Sequence, residues 1–209
     1  EGIINLTKRA KPDLVVFTGD FVSYNSAEAQ EPLRRLLSTL VSPDGILAIY
    51  GNHDHWAGIE PLDQVLIDAN IINLNNAVYS IKRDDVTLTI AGVDDLWEEK
   101  SHLEKISPQL NKDECNILLS HEPDFCISAS QTGLFDLQFS GHSHGGQMRL
   151  PFYGPALRIP GAMLYPEGLQ RINDLQVYTT RGLGTSTIPI RINCKPELAF
   201  HTLRSISKT

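Results

Sequence analysis

Short apolar runs alternate with amphipathic segments through the first third of the chain. Leu14–Phe17 and Gly45–Tyr50 are apolar, and their length is typical of buried strands. Glu31–Val41 carries leucines at helical spacing on one face, with Pro32 tolerated in its first turn, and a second helical pattern opens at Pro61. Ile3–Ala10 has the pattern of an amphipathic helix. This opening predicts parallel strands joined by crossover helices.

The rest of the chain has the pattern of a second, more mixed sheet. Ala77–Lys82 and Val86–Val93 flank a polar turn and predict a hairpin, and Leu103–Leu110 predicts a short helix. Further strands are predicted at Asn116–Ser120, Leu134–Ser140, Leu175–Thr180 and Ile188–Leu203. The expected core residues of the last two segments are Val177, Ile190, Ile192, Leu198 and Phe200.

Neither an internal repeat nor a low-complexity linker divides the chain, so residues 1–209 are expected to form one α/β domain. Hydrophobic residues make up 41% of the sequence, which is enough to bury a substantial core. The formal net charge of −7 argues against a nucleic-acid-binding surface, because such surfaces are usually basic.

Four polar segments each follow an apolar run directly. They are Thr18–Asp20, Gly51–Asp54, Ser120–Glu122 and Gly141–Gln147. Because ligands bind at the carboxyl ends of strands in open α/β sheets, we expect the four segments to lie together. Their carboxylate, amide and imidazole groups, placed beside glycines, predict a metal site suited to hydrolysis.

The predicted ligands supply oxygen and nitrogen atoms to two divalent ions. They are Asp20, Asn52, His121, His142 and His144. The carboxylate of Asp20 offers one oxygen to each ion, and the ligand types suit manganese, zinc or iron. Taken singly, each has an ordinary alternative: a capping or turn aspartate, an Asx turn, or a hydrogen-bonded core histidine. The complete set favours the metal site.

The order of these motifs, G-D, G-N-H-D, H and G-H-x-H, resembles the signature of the calcineurin-like metallophosphoesterases. Lys11–Asp20, Gly141–Pro151 and Tyr165–Leu169 further resemble the bacterial YkuE/YaeI-type branch of that family. The resemblance covers nearly the whole chain. It implies a four-layer α-β-β-α sandwich of two mixed sheets, with a dinuclear metal site at one edge.

The resemblance also implies a division of the ligands. Asp20 would bridge the ions, Asn52, His121 and His142 would hold one of them, and His144 would hold the other. The family signature opens with an Asp-x-His segment on a first strand, and the sequence before Asp20 contains none. We therefore expect an N-terminally truncated phosphoesterase that lacks this strand and two ligands of the second ion.

In such a site two ions lower the pKa of a bridging water, and the resulting hydroxide attacks phosphorus in line with the leaving group. His53 follows a ligand directly, so we predict that it acts as the general acid toward the leaving oxygen. Asp54 is predicted to orient the His53 ring. The alternative for Asp54 is an ordinary turn residue.

Each of the other polar residues near the motifs has two possible roles. Gln147 and Arg149 either line the pocket or support the ligand loop, and Asp94 and Asp95 either stand behind the ligands or cap a helix. His55 is a possible substitute ligand, but a histidine beside a tryptophan is more often a surface or pocket-wall residue. Two histidines without a motif are expected at the surface or in the core: His102 and His201.

The range 150–169 suggests a substrate class. It is rich in proline, glycine and the apolar residues Phe152, Tyr153, Leu157, Ile159, Met163, Leu164 and Tyr165. One reading is a long loop packed on the second sheet; the other is an apolar lip that accepts an acyl chain or touches a membrane surface. Some relatives in the resembled branch cleave the pyrophosphate of a lipid-linked nucleotide, so a lipid-linked phosphodiester is a reasonable substrate hypothesis.

Two competing functions remain open at this stage. One is a non-catalytic binding or scaffold protein, a degenerate phosphoesterase that holds one ion. The other is a dinuclear amide or lactone hydrolase, which the Gly-Asn-His-Asp segment disfavours. An Asp-x-His segment on a first strand would favour the enzyme over the scaffold, and a panel of substrates would test the other hydrolase class.

Overall fold

A computed structural model gives the structure of residues 2–155 and 158–204. The α-helices are α1 (Gly2–Ala10), α2 (Ser26–Leu37), α3 (Asn52–Ala57), α4 (Glu60–Asp68), α5 (Leu103–Ile106) and α6 (Cys126–Thr132). Short 3-10 helices span Ser107–Gln109, Pro123–Phe125 and His144–Gly146. Within the described ranges, no helix combines the length and the apolar content that a bilayer crossing requires.

The strands form two principal sheets and one short ribbon. They are β1 (Val15–Thr18), β2 (Ile46–Ile49), β3 (Ile72–Asn73), β4 (Ala77–Arg83), β5 (Val86–Gly92), β6 (Cys115–Leu119), β7 (Leu137–Ser140), β8 (Arg149–Leu150), β9 (Gly154–Pro155), β10 (Gly168–Ile172) and β11 (Leu175–Thr179). The smaller sheet has the order β1-β2-β3 and is parallel. The larger has the order β10-β11-β7-β6-β5-β4, parallel at its centre, with an antiparallel pair at each end.

Strand β2 shows how the layers stack. Ile46 and Ala48 pack in one cluster with residues of α2 and α4, on the outer side of the smaller sheet. Leu47 and Ile49 point the other way and pack with residues of β5 and β6, between the two sheets. All four side chains are buried, as expected for a strand covered on both faces.

A third cluster covers the outer side of the larger sheet. It joins Ala91 and Leu118 of the sheet to Ile106 of α5 and to Cys126 and Ala129 of α6. The order of layers is therefore helix, sheet, sheet, helix. The four-layer α/β architecture implied by the resemblance is confirmed.

Most predicted elements are confirmed within a few residues, including the hairpin of β4 and β5. Helix α2 differs from its prediction, because it begins at Ser26 and ends at Leu37, with Pro32 inside it rather than in its first turn. Helices α3 and α6 and strand β10 were not predicted. The first two have few apolar residues at helical spacing, so periodicity gave little signal there.

The prediction of strands over Ile188–Leu203 is wrong. Val177 in β11 is buried as expected, but Ile190 and Ile192 are 52% and 48% exposed, and Phe200 is 59% exposed. The described part of this segment has a single isolated bridge, between Ile192 and Met148, instead of a ladder. The segment is instead attached through the Arg191 side chain, whose guanidinium donates to the carbonyl oxygens of Arg181, Gly182 and Gly184.

Candidate metal centre

Four of the predicted ligands lie at the same edge of the two sheets. Asp20 follows β1, Asn52 follows β2, His121 follows β6 and His142 follows β7. All four strands run in parallel pairs, so their carboxyl ends meet at this edge. The topology thus gathers residues that are more than one hundred positions apart.

Asp20 and His121 form a close pair across the two sheets. Nε2 of His121 lies 3.3 Å from Oδ2 of Asp20, and Nδ1 of His121 donates to the carbonyl oxygen of Thr18 at 2.6 Å. Burial by itself raises the pKa of Asp20, but the charge of His121 opposes it and lowers the pKa to about 2. Because Nδ1 carries the hydrogen toward Thr18, Nε2 is the nitrogen directed at the site.

Asn52 and His142 form a second pair beside the first. Oδ1 of Asn52 lies 3.1 Å from Nδ1 of His142, and Nε2 of His142 lies 2.8 Å from the carbonyl oxygen of Pro160. The rings of His142 and His121 meet edge to face, with their centroids 4.9 Å apart. Burial, aided by the charge of His121, lowers the pKa of His142 to about 4.

His144 lies on a tightly wound loop next to this group. His142, His144 and Gln147 all have positive φ values, which are uncommon for residues with a side chain and recur at functional sites. Nδ1 of His144 is buried and has no hydrogen-bond partner among the described residues. Burial also lowers the pKa of His144, which favours the neutral imidazole that a metal requires.

Glycines allow the close approach of these groups. A Cβ atom at Gly51 would come within 2.4 Å of Oδ1 of Asp20 and 2.6 Å of Nε2 of His121. A Cβ atom at Gly19 would come within 2.6 Å of Nδ1 of His121. The His121 ring is therefore enclosed by backbone that only glycine permits.

The donor set fits divalent metal ions, although its side chains are partly bonded to one another. In the described ranges, no group of three or more His, Cys, Asp or Glu side chains is arranged to hold an ion as it stands. One buried nitrogen, Nδ1 of His144, lacks a hydrogen-bond partner there, and Nε2 of His121 faces only the Asp20 carboxylate, at 3.3 Å. Such atoms are costly to leave unpaired, and mixed nitrogen and oxygen donors suit transition metals.

The predicted contact between Asp54 and the His53 ring is wrong. The two carboxylate oxygens of Asp54 instead accept three backbone N–H groups, from Asp20 at 2.8 Å, Gly51 at 3.0 Å and Val22 at 3.1 Å. Burial, together with the charge of Asp20, raises the pKa of Asp54 to about 7. Asp54 therefore ties the turn after β1 to the start of α3.

The His53 ring is oriented by two groups that the sequence did not suggest. Nδ1 lies 3.3 Å from the carbonyl oxygen of Ser23, and Nε2 lies 3.0 Å from Oγ of Ser186. The backbone N–H of His53 donates to Oδ1 of Asp20 at 3.1 Å. These contacts hold the ring beside the predicted ligands without Asp54.

Comparison with known protein families covers all of these site residues. The model of the calcineurin-like phosphoesterase family matches residues 1–146, more than half of the sequence. This chain belongs to the calcineurin-like phosphoesterase family. The matched range includes every predicted ligand and His53.

Curated relatives of this chain agree with that assignment. The metallophosphoesterase YkuE of Bacillus subtilis strain 168 is 36% identical over 209 residues, covering 97% of this chain and 72% of that protein. The phosphodiesterase YaeI of Escherichia coli strain K12 is 31% identical over 193 residues, covering 91% of this chain and 70% of that protein. The resemblance to the YkuE/YaeI-type branch is thus confirmed.

Solved structures resemble this chain in fold. The sulfate thiohydrolase SoxB of Thermus thermophilus has a TM-score of 0.54 at 13% identity, with 85% of this chain and 36% of that chain covered. The NAD nucleotidase NadN of Haemophilus influenzae has a TM-score of 0.51 at 18% identity, with 86% of this chain and 42% of that chain covered. This chain spans less than half the length of either protein.

Gln147 and Arg149 support the ligand loop, which is one of their two predicted roles. The side chain of Gln147 accepts from the backbone N–H of Ser186 at 2.8 Å and donates to the carbonyl oxygen of Ile188 at 2.7 Å. Arg149 donates to the carbonyl oxygen of Gly145 and pairs with Glu167 at 2.6 Å.

The role of His55 as a substitute ligand is not supported. Its Nε2 lies 2.8 Å from Asp94, and its Nδ1 lies 2.9 Å from Nζ of Lys100, so both ring nitrogens are engaged away from the ligand group. Asp95 accepts the backbone N–H of Glu98 at 2.9 Å and so closes a turn, because no helix begins there for it to cap. His102 lies at the surface beside Glu104, and His201 packs against Phe139 and Tyr178.

Glu122 has a structural role at the site that its sequence motif did not indicate. Only 1% of it is exposed, and its carboxylate accepts the backbone N–H groups of Leu96 and Trp97 at 3.2 Å each. The acid following His121 was visible in the sequence, but the loop that it anchors was not. Sequence spacing carries no information about a partner 25 positions earlier.

Proposed function

We propose that this chain is a metal-dependent phosphoesterase that hydrolyses phosphodiesters. The observation that carries the proposal is the convergence of Asp20, Asn52, His121 and His142 at one sheet edge, with His53 beside them. The membership in a phosphoesterase family and the likeness to a protein named as a phosphodiesterase support it.

The proposed ligands of two divalent ions are Asp20, Asn52, His121, His142 and His144. Manganese, zinc and iron all suit this donor set. When bound, such ions supply an acidic water near neutral pH and neutralise the charge of the phosphoryl oxygens. The ligands hold their positions through the backbone contacts of the four parallel strands.

His53 is proposed to give a proton to the leaving oxygen. Its Nδ1 faces a carbonyl oxygen of Ser23, which only accepts, so the hydrogen of the neutral ring resides there. Nε2 is then the atom at which a proton is gained or lost, and it faces Ser186. Asp20 fixes the backbone at His53, so the ring is aligned with the ligand group.

The direct test is hydrolysis of bis(p-nitrophenyl) phosphate and p-nitrophenyl phosphate by the protein supplied with manganese. His53→Ala should keep its metal content and lose about 10²–10⁴ in turnover, as expected for a general acid. Asn52→Ala and His142→Ala should lose metal as well. His102→Ala is the control, since that histidine lies at the surface.

The outcomes separate the competing functions. Turnover of His53→Ala at the wild-type rate would overturn the role of His53. A protein that binds one ion and hydrolyses neither ester would be the scaffold alternative, and hydrolysis of a lactone or amide in preference to both would identify the other hydrolase class.

The proposal extends to a lipid-linked phosphodiester or pyrophosphate and to peripheral membrane contact through the range 150–169. Phe152 and Tyr153 are fully or mostly exposed, and Met163 and Leu164 are also exposed, which supports an apolar lip. Leu157 lies outside the described residues. Stimulation of diester hydrolysis by liposomes, lost in Phe152→Ser, would support this extension, and equal turnover with and without lipid would overturn it.

A further inference from the structure

Two tryptophans form an open corner beside the candidate metal centre. The indoles of Trp56 and Trp97 meet edge to face, with centroids 6.0 Å apart and ring planes at 89°. Both remain half-exposed, at 54% and 45%. Contiguous exposed apolar surface is a mark of ligand-binding grooves and interaction sites.

The corner lies between two residues of the proposed site. The His53 ring is 4.9 Å from Trp56, and the His142 ring is 5.8 Å from Trp97, measured between centroids. His53 and Trp56 are three residues apart on α3, so they share one face of that helix. A group attached to the leaving oxygen at His53 would therefore meet the indoles next.

Hydrogen bonds to acids fix both residues, Trp56 through its ring and Trp97 through its backbone. Nε1 of Trp56 donates to Glu98 at 2.8 Å, and the backbone N–H of Trp97 donates to the buried Glu122 at 3.2 Å. Glu98 is itself attached through its backbone to Asp95. The corner is thus formed before any ligand arrives, which reduces the entropy lost on binding.

We propose that the corner of Trp56 and Trp97 binds a planar aromatic ring in the leaving group of the phosphoester. Two perpendicular indoles let such a ring stack on one face while it presents its edge to the other, the two arrangements that aromatic pairs prefer. A flexible acyl chain gains nothing from the right angle. This inference rests on the proposed function, because it assigns a subsite to the same reaction.

Tryptophan fluorescence tests the inference without turnover. The chain contains two tryptophans, and both lie in the corner, so any change in emission reports on it directly. The probes are methylphosphonate, cyclohexylphosphonate, phenylphosphonate and octylphosphonate, titrated into the manganese-supplied protein. Their phosphonate groups are alike and resist hydrolysis, whereas their substituents differ in planarity and length.

Phenylphosphonate should bind about 5–10-fold more tightly than cyclohexylphosphonate, in line with the strength of aromatic pairs beyond area burial. Trp97→Ala should remove that preference while Trp56 still reports binding, and Trp97→Phe should retain most of it. Phe200→Ala is the matched control, since it deletes an exposed aromatic ring outside the corner. It should leave the preference unchanged.

Each contrary result points to a different failure. Equal affinity for the phenyl and cyclohexyl probes would overturn the inference while leaving the proposed function intact. Tightest binding of octylphosphonate would assign the corner to an acyl chain instead and likewise overturn it. Failure of all four phosphonates to bind, with no ester hydrolysis, would overturn the proposed function and this inference together.

Discussion

The hydroxyl oxygen of Ser186 lies 3.0 Å from Nε2 of His53, although the two residues are 133 positions apart. The segment after β11 therefore reaches the proposed acid of the site. Gln147, from the ligand loop, binds the backbone of Ser186 on both sides, at 2.8 and 3.1 Å. The ligand loop and the segment that touches His53 are thus one connected unit.

Removal of the Ser186 hydroxyl should slow turnover without affecting metal content. Ser186→Ala takes away one neutral hydrogen bond from the His53 ring, which is worth about 1 kcal/mol, so kcat should fall about fivefold at constant KM. Ser186→Thr keeps a hydroxyl and should restore most of the rate. Steady-state kinetics on an aryl phosphodiester measures both, and an unchanged or higher kcat in Ser186→Ala would contradict the positioning role.

Asp54→Asn should destabilise the fold around the site. The amide has one acceptor oxygen in place of two and turns its NH2 group toward backbone N–H donors, a mismatch that costs about 1–3 kcal/mol. In a chain of this length, that lowers Tm by about 3–10 °C. Differential scanning calorimetry measures the change.

The matched control for Asp54 is Asp84→Asn, in the turn of the β4–β5 hairpin, where the positive φ suits asparagine equally well. Its Tm should stay within about 1 °C of the parent. A similar Tm for both variants would show that the three backbone contacts of Asp54 contribute little.

Gly51→Ala should disturb the metal centre because its methyl group has no room. The new Cβ atom would collide with Asp20 and His121, at 2.4 and 2.6 Å, so at least one proposed ligand must move. We expect manganese affinity to fall at least about tenfold, since ligand geometry must be held closely. Isothermal titration calorimetry measures this affinity.

Gly184→Ala serves as the comparison for Gly51, because a Cβ atom there has no neighbour within 4 Å. It should bind manganese as the parent does. Equal affinity in Gly51→Ala would mean that Asp20 and His121 are not ligands or can shift without loss.

Manganese should stabilise the protein partly through His144. At one hundred times the dissociation constant, the metal adds about 2.7 kcal/mol, or about 5–10 °C in Tm. His144→Ala should leave Tm without metal nearly unchanged, because its Nδ1 has no partner in the described residues, and should halve the rise with metal. His102→Ala should preserve the full rise. An undiminished rise in His144→Ala would remove that residue from the ligand set.

Local patterns were sufficient to place most of the fold. Apolar runs such as Gly45–Tyr50 marked the strands within a residue or two, because a strand buried on both faces must be apolar throughout. The G-N-H-D and G-H-x-H motifs likewise marked residues that the topology brings to one sheet edge. The order of layers, by contrast, came from the family resemblance, since periodicity alone does not say which strands are neighbours.

The wrong prediction of strands over Ile188–Leu203 has a physical cause. Ile190 and Ile192 alternate like strand residues, yet the segment is held by the Arg191 guanidinium, which donates to the carbonyl oxygens of Arg181 and Gly184 at 2.7 and 2.6 Å. A segment can be attached to its neighbours by one of its side chains instead of by a strand ladder, and hydrophobic alternation does not distinguish the two cases.

The sequence by itself determined the types of chemical group at the site and the strands after which they come, because these depend on local composition and period. Only the tertiary structure decided which group each side chain faces. It directed Asp54 to the backbone rather than to His53, brought Ser186 to that histidine, and set Trp56 against Trp97. Such pairings depend on contacts between distant segments, and these form only when the two sheets pack together.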